Sequence, residues 1–485
     1  RPTPAPNPPS PLPPEAPALA HPCPLDPAIV SRETKTSGAS VGVAFISENG
    51  IQLWDEASNV SEPLFESGDV TSLKFSDDQQ LIAFTRQNEQ YQTSLWILDV
   101  EDRSARELLS AADLLALNLS ETKDLAVDPY RLMWIPGTHR LVFSTRTSST
   151  GDAPPDVFQE MRVIDAASGE LVELLDHSQG GTFTFSPDGA LFSLISDTSA
   201  SLYKTSGELV AKDIVIYPAL GMTDFNYHPP VYWSADSRFF TFAMINTTDG
   251  LEATYNPDVT STMWRVSTDG STTELSTVTG MTLEHAFSPD RQQVAFMRTS
   301  PKGPPLRELH IADVNNEWDV VYREGESLSF GQWNPDAESV QFIFFDGWGE
   351  PGIGRLCRLA VPLPAISSPG STRQVNWVDA ARYLYAEHPS GDFYLGSVDG
   401  SQKLIGRMDP ERVSGRIGPL KNFDFYWPTS AAADSGTELS TAVPPLPTLT
   451  PADPLPGMLY ENEGGVWLVE SSEAHADSSH RKIAD

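Results

Sequence analysis

An all-β fold assembled from repeated blades is what this 485-residue sequence predicts, and three observations carry that expectation. One phrase recurs at Leu73–Phe84, Phe183–Leu194, Val231–Phe242, His285–Phe296 and Gly331–Phe342. Each copy is a strand with an aromatic residue near its end, a polar Ser/Asn-x-Asp turn, and a second apolar strand, as in Phe183-Thr-Phe-Ser-Pro-Asp-Gly-Ala-Leu-Phe-Ser-Leu194. Pro at the second turn position presets φ, and Asp caps the turn through its own side chain. The copies are spaced at roughly 40–50 residues, the period of a repeat fold with one phrase per unit. Helix-forming pattern is nearly absent between them. Together these features predict a β-propeller of about eight four-stranded blades, seven being the alternative.

Taken in chain order, residues 1–38 form a Pro-rich extended arm, since 12 prolines fall within the first 27 positions. The propeller is expected over 39–428. Val41–Trp54 reads as a second-plus-third-strand hairpin with no first strand before it. Third strands follow the phrases at Ser94–Asp99, Met161–Asp165, Met263–Ser267, Glu308–Asp313 and Phe393–Val398. Gly-containing hairpin dipeptides such as Ser168-Gly169 and Asp269-Gly270 come after them. Weaker phrases at Leu132–Phe143 and Gln374–Tyr385 bring the count to seven. Asn422–Trp427 looks like a first strand without an immediate second, so the two ends are expected to complete an eighth, composite blade. Ser104–Leu117 is the single helical candidate. A Pro/Ser/Thr-rich linker spans 429–456, an extra hairpin 457–470, and a polar tail 471–485. That hairpin echoes the N-terminal one, with Tyr460-Glu-Asn-Glu-Gly-Gly-Val-Trp-Leu468 set against Ile46-Ser-Glu-Asn-Gly-Ile-Gln-Leu-Trp54. A lone hairpin is marginal in water, so Tyr460, Val466, Trp467 and Leu468 are expected to dock on an exposed strand edge. The linker, if extended, reaches roughly 85 Å.

The formal charge of −34, from 66 acidic and 32 basic side chains, argues against nucleic-acid partners and anionic membrane surfaces. No apolar run approaches the roughly 18–20 residues of a membrane helix, so no membrane insertion is expected. The chain opens at Arg1 rather than Met and reads as a mature or trimmed product. If the protein is extracytoplasmic, its two cysteines, Cys23 and Cys357, are candidates for a disulfide that pins the arm to a late blade; otherwise they are two unpaired thiols. Sequons at Asn59, Asn118 and Asn246 are formal glycosylation sites.

Two motifs match catalytic patterns without their context. Gly38-Ala-Ser-Val-Gly42 matches a nucleophile elbow, but a loop precedes it and a strand follows. Gly347-Trp-Gly-Glu-Pro-Gly352 matches a dinucleotide fingerprint, but no helix opens behind it. The nine histidines show no metal-ligand spacing, and no calcium loop is present, so no cofactor or metal is expected. His228, with Tyr227 beside it, and His285 lie at blade entrances, where a composite site at the channel mouth can form. Four long loops, Thr147–Val157, Asn246–Ser261, Thr299–Leu306 and Asp346–Gly354, join second to third strands and should emerge on one face. Tyr255 and Trp348 on these loops are candidate partner-binding residues.

The phrases Phe-Ser-Pro-Asp-Gly-Ala-Leu-Phe-Ser-Leu and Phe-Ser-Pro-Asp-Arg-Gln-Gln-Val-Ala-Phe resemble the WD40-like repeats of TolB-type propellers, the PD40 group, over Val41–Trp427. The resemblance implies a propeller of an extracytoplasmic bacterial or archaeal protein that uses its disc for protein contacts. The family includes translocation-associated periplasmic proteins, binding scaffolds and accessory domains of peptidases. The sequence departs from TolB itself in having only the Pro-rich arm where TolB has an α/β domain. The expected function is a secreted or cell-surface, non-catalytic scaffold that binds protein or carbohydrate. A structural subunit of an extracellular filament or assembly, whose C-terminal hairpin or Pro-rich arm docks on a neighbouring propeller, is the alternative, and an enzyme with a channel-mouth site is the third reading.

Overall fold

The computed structural model describes residues 40–426, apart from 121–124, 148–156, 223–224, 250–255, 304–305, 326–327, 336–338, 345–349, 356–357, 363–375, 387–389, 398–400 and 409–422. Beyond these it describes three strands between 459 and 484. The chain divides into two compact units, Arg1–Leu439 and Ser440–Asp485.

The first unit contains eight four-stranded antiparallel sheets. Blade 1 is Val70–Phe75, Leu81–Gln87, Thr93–Asp99 and Ala105–Leu109; blade 2 is Val127–Trp134, Arg140–Thr147, Met161–Asp165 and Leu171–Leu175. Blade 3 is Thr182–Phe185, Leu191–Ile195, Ser199–Lys204 and Leu209–Ile216; blade 4 is Tyr232–Trp233, Phe239–Ile245, Thr260–Ser267 and Thr272–Thr279. Blade 5 is His285–Phe287, Gln293–Thr299, Arg307–Asp313 and Asp319–Gly325; blade 6 is Leu328–Trp333, Ser339–Phe344, Glu350–Arg355 and Arg358–Pro362. Blade 7 is Asn376–Trp377, Arg382–Ala386, Asp392–Ser397 and Gln402–Arg407. Blade 8 is the composite: Phe423–Tyr426 pairs with Gly42–Ser47 in the register Gly42↔Tyr426 to Phe45↔Phe423. Gly50–Asp55 and Val60–Glu66 complete it. The two ends of the ring therefore share one sheet, as the orphan strands at either end of the sequence required.

The recurring phrase has a chemical reason. In blades 1, 3 and 5 the turn serine is buried. Its hydroxyl donates to the turn aspartate, Ser76 to Asp78 at 2.7 Å, Ser186 to Asp188 at 2.6 Å and Ser288 to Asp290 at 2.6 Å. The same oxygen accepts the first amide of the next strand, from Leu81 at 3.0 Å, Leu191 at 3.0 Å and Gln293 at 2.9 Å. The fourth turn residue must be left-handed: φ is +65° at Gln79, +69° at Gly189, +59° at Ser237 and +61° at Arg291. Only Gly189 adopts this without a Cβ penalty, and a Cβ there would lie 2.2 Å from the Pro136 carbonyl oxygen. Gly189→Ala is expected to cost about 2–4 kcal/mol, whereas Gln79→Gly should gain about 0.5–1 kcal/mol. Urea midpoints of the two variants check this, and equal midpoints would refute the turn argument.

Each seam of the ring carries a side-chain link. The indole nitrogens of Trp134, Trp233 and Trp333 donate to the preceding blade at the carbonyls of Lys74 (3.1 Å), Thr184 (3.0 Å) and Ala286 (2.8 Å). Blades 2 and 3 are joined by Arg131 donating to the Gly181 carbonyl at 3.0 Å, and blades 4 and 5 by the Tyr232 hydroxyl donating to the His285 carbonyl at 3.0 Å. Asn334 donates to the Ala380 carbonyl at 3.0 Å between blades 6 and 7. Arg382 and Lys403 both pair with Glu56 between blades 7 and 8. Asp424 closes the last seam, pairing with Lys74 at 3.1 Å and accepting the Phe75 amide at 2.9 Å. The apolar core is correspondingly divided into inter-blade clusters, one of which packs Phe45, Phe393 and Phe423 at the closure.

Three expectations change. The helical candidate Ser104–Leu117 is half strand: Ala105–Leu109 is the outer strand of blade 1, and only Ala111–Ala116 is helical. Ser110 caps that helix in a reciprocal box with Asp113, and the strand before it wins because it completes the sheet. The long loop Asp346–Gly354 is shorter than expected, because Glu350–Arg355 pairs along the whole of Ser339–Phe344. This also places the second half of the Gly347–Gly352 motif in a strand. In the second unit, the hairpin Leu459–Asn462 and Gly465–Glu470 is joined by Ser479–Ala484, a third strand within the segment read as a polar tail. Among the described residues, no helix is long and apolar enough to cross a membrane.

Candidate functional site at the mouth of blades 2 to 4

In an antiparallel meander the second-to-third-strand turns and the links between blades emerge on the same face. On that face blades 2, 3 and 4 bring together a polar cluster. Its centre is His228, on the link leading into blade 4. The imidazole Nε2 lies 2.7 Å from Asp197 Oδ1, on the second-to-third turn of blade 3, and Nδ1 lies 2.8 Å from the Thr182 hydroxyl. Asn226 donates to the other Asp197 oxygen at 2.9 Å. One carboxylate thus holds two neighbours of the same link.

The electrostatics assign the tautomer. Burial lowers the pKa of His228; the Asp197 hydrogen bond and charge oppose this, and the Arg131 cation reinforces it, for a net shift below the ordinary 6.5. A neutral ring facing a carboxylate at Nε2 carries its proton there, so Nδ1 is the acceptor and takes the Thr182 hydroxyl proton. The array fixes an imidazole, polarises one hydroxyl, and leaves the Asp197 carboxylate, 39% exposed, at the surface. A hydroxyl–imidazole–carboxylate line is also the outline of a general-base relay. Here the hydroxyl belongs to a β-branched residue paired in a strand, with Thr182 opposite Ile195.

Arg131 supplies the positive charge. It sits at φ +54° where the register of the first strand of blade 2 shifts between Tyr130 and Met133. The irregularity sends its guanidinium across the seam to the Gly181 carbonyl, immediately before Thr182. Among the described residues Arg131 forms no ion pair, in a chain whose net charge is −34. Two guanidinium groups lie over the Tyr130 ring, Arg131 at 5.1 Å and Arg146 at 5.4 Å, and Arg146 is 3.8 Å from Asp128. A cation, an aromatic ring, an amide and a carboxylate thus meet at one mouth, a donor–acceptor set suited to polar ligands.

Of the residues singled out by sequence, His228 is central to this cluster, whereas Tyr227 is not a surface residue. Only 7% exposed, Tyr227 packs in the core with Tyr217, Trp233, Phe240 and Phe242. Burial raises its phenol pKa, and its hydroxyl has no hydrogen-bond partner among the described residues. The correction has a simple cause, since alternate residues of an extended link point to opposite sides and His228 took the polar one. His285 is buried in blade 5, its Nδ1 3.3 Å from the Thr282 carbonyl, and is not at the mouth. Tyr255, Trp348, Cys23 and Cys357 lie outside the described residues. In the second unit, Tyr460 is paired in register with Trp467, Val466 with Glu461, and Leu468 with Leu459. Among the sequons, Asn118 is buried and donates to the Leu125 carbonyl, Asn246 donates to Thr260 and Thr262, and Asn59 is exposed. Among the described residues, no group of His, Cys, Asp and Glu is arranged to hold a metal ion. Sequence reasoning missed Thr182, Asp197, Asn226 and Arg131. A clue existed for Asp197, a turn aspartate after a phrase, but none for the bulge that redirects Arg131.

The chain matches no protein-family model. No curated protein sequence matches it either. Among solved structures it is similar to a eukaryotic initiation factor at 15% identity, covering 76% of this chain and 85% of that one, with a TM-score of 0.47. It is also similar to an oligogalacturonate lyase in complex with manganese, at 13% identity over 62% of this chain and 81% of that one, TM-score 0.40. TolB from Acinetobacter baumannii is a further likeness, at 12% identity over 67% of this chain and 63% of that one, TM-score 0.29. These likenesses concern the fold alone; the architecture itself rests on the eight blades and their shared closing sheet.

Proposed function

We propose that this chain is a non-catalytic β-propeller scaffold, working outside the cytoplasm, that binds a protein or a glycan at the mouth formed by blades 2 to 4. The observation that carries the reading is Arg131, which has no ion pair among the described residues, held by its seam bond beside the Asp197–His228–Asn226 cluster. Such a set offers a charge-assisted donor, an amide and a carboxylate acceptor to one ligand. Thr182, locked in its strand with its hydroxyl given to His228, serves to hold that ring rather than to attack a substrate.

Glycan-array screening and affinity capture from extracellular extracts, run with the full chain and its variants, test this. Arg131→Ala is expected to weaken the captured ligand at least tenfold, since a hydrogen bond from a charged group contributes about 1.5–3 kcal/mol. Thr182→Val should leave binding within a few-fold. A ligand indifferent to Arg131 would move the site elsewhere. Turnover of an ester or glycoside that Thr182→Val abolishes would replace the scaffold reading with an enzymatic one.

A further inference from the structure

The small C-terminal sheet bears the marks of a propeller blade that lacks one strand. In all eight blades the second and third strands pair without interruption. In all eight the pairing of third with fourth strand is broken by a register shift. The C-terminal sheet repeats both features. Leu459–Asn462 pairs regularly with Gly465–Glu470, and Gly465–Glu470 pairs with Ser479–Ala484 across a shift between Val466 and Trp467.

The match to the composite blade is closer still. There the second and third strands are joined by the two residues Glu48-Asn49, between Ser47 and its partner Gly50. In the C-terminal sheet they are joined by Glu463-Gly464, between Asn462 and its partner Gly465. The shift falls after the second residue of the third strand in both, at Ile51/Gln52 and at Val466/Trp467. Leu459–Asn462 is thus a second strand, Gly465–Glu470 a third and Ser479–Ala484 a fourth. In every blade the second strand has a first strand on its other side. Among the described residues, Leu459–Asn462 has none.

We infer that the free edge of Leu459–Asn462 is a strand-acceptor site for an antiparallel first strand of the Phe423–Tyr426 kind. The occupant is a segment of another blade-forming polypeptide, with aromatic residues at alternate positions as in Phe423-Asp-Phe425. The chain itself shows the precedent: its N-terminal three-strand meander has the same build and receives its first strand from a segment distant in sequence. Taking that strand from a second copy would open the copy's own ring and expose the Phe423 cluster, so the occupant is a strand not already committed to a ring. This inference concerns the second unit alone and stands apart from the ligand reading of the propeller mouth.

The test is hydrogen exchange of the full chain with millimolar amounts of a synthetic peptide spanning Lys421–Trp427, alongside light scattering. The expected result is at least tenfold slower exchange within Leu459–Asn462, with the protein monomeric and the amides of Gly42–Ser47 unchanged. A control peptide with Ser at the positions of Phe423 and Phe425 should give no protection. Tyr460→Pro and Glu461→Pro, made separately, remove neighbouring amides that point to opposite edges. One of them should block peptide capture while the other breaks the hairpin. Unchanged exchange at the edge overturns the inference, as does equal protection by the control peptide. Concentration-dependent association of the chain that protects the edge without peptide replaces it with pairing between two copies.

Discussion

Phe423→Ala is expected to destabilise the propeller by about 3–5 kcal/mol, the cost of deleting a fully packed aromatic ring from a core. Phe423 is 7% exposed, lies 4.9 Å from the Phe393 ring, and sits opposite Phe45 in the closing register. Its strand is four residues long and, among the described residues, is the one late strand hydrogen-bonded into the N-terminal sheet, where it adds to the packing of blade 7 against Phe45 and Trp54. Phe425 pairs with Val43 on the same strand but is only partly buried, and Phe425→Ala should cost about half as much. The neighbouring Asp424 ties the strand to blade 1 through Lys74 and the Phe75 amide, so the loss of Phe423 should propagate to that seam. Urea unfolding and hydrogen exchange together check this: the amides of Gly42–Ser47 and Val70–Phe75 should lose protection first. If the two variants cost the same, or if protection is lost uniformly, the composite blade is not the weak point of the ring.

Acid should weaken the fold well above the carboxylate range, because of His285. Burial holds its imidazole down from 6.5 to about 4, opposed only by its bond to the Thr282 carbonyl, and its Nε2 has no partner among the described residues. Between these values the unfolded chain binds a proton that the folded chain refuses, so stability rises with pH and falls as pH drops from 6.5 toward 4. The full difference, reached near pH 4, is roughly 3 kcal/mol. His228, lowered chiefly by burial, acts in the same sense. Carboxylates act lower. Burial opposes ionisation of Asp69, Asp78 and Asp165, yet their hydrogen bonds outweigh it and hold each below 3.8. The losses they cause upon protonation fall below the histidine window. His285→Phe, which keeps the volume and removes the titration, should flatten the stability profile between pH 6.5 and 4. An unchanged slope in that variant would assign the acid sensitivity to other groups.

The ring and its manner of closure were legible in the sequence because they depend on local chemistry repeated many times. A buried serine that serves both an aspartate and the next strand, and a left-handed fourth turn residue, must recur wherever the turn recurs, so they leave a readable phrase. The unmatched strands at Val41–Trp54 and Asn422–Trp427 followed from counting, since four strands per blade allowed no other partners. Ser104–Leu117 misled because its helical pattern is real over six residues, while a sheet edge claimed the preceding five.

By itself, then, the amino-acid sequence determined the all-β class, the repeated blade and the identity of the closing strands, while the choice of eight blades over seven came from the sheets themselves. Only the tertiary structure decided that Tyr227 turns into the core while His228 turns to Asp197, and that a register shift carries Arg131 across a seam to Gly181. It also decided that the C-terminal hairpin has a third strand with a blade's bulge. The physical reason is the range of the interactions. Turn chemistry and strand alternation are written within a few residues. The mouth cluster joins groups from three blades through single hydrogen bonds, which leave no periodic trace in the chain.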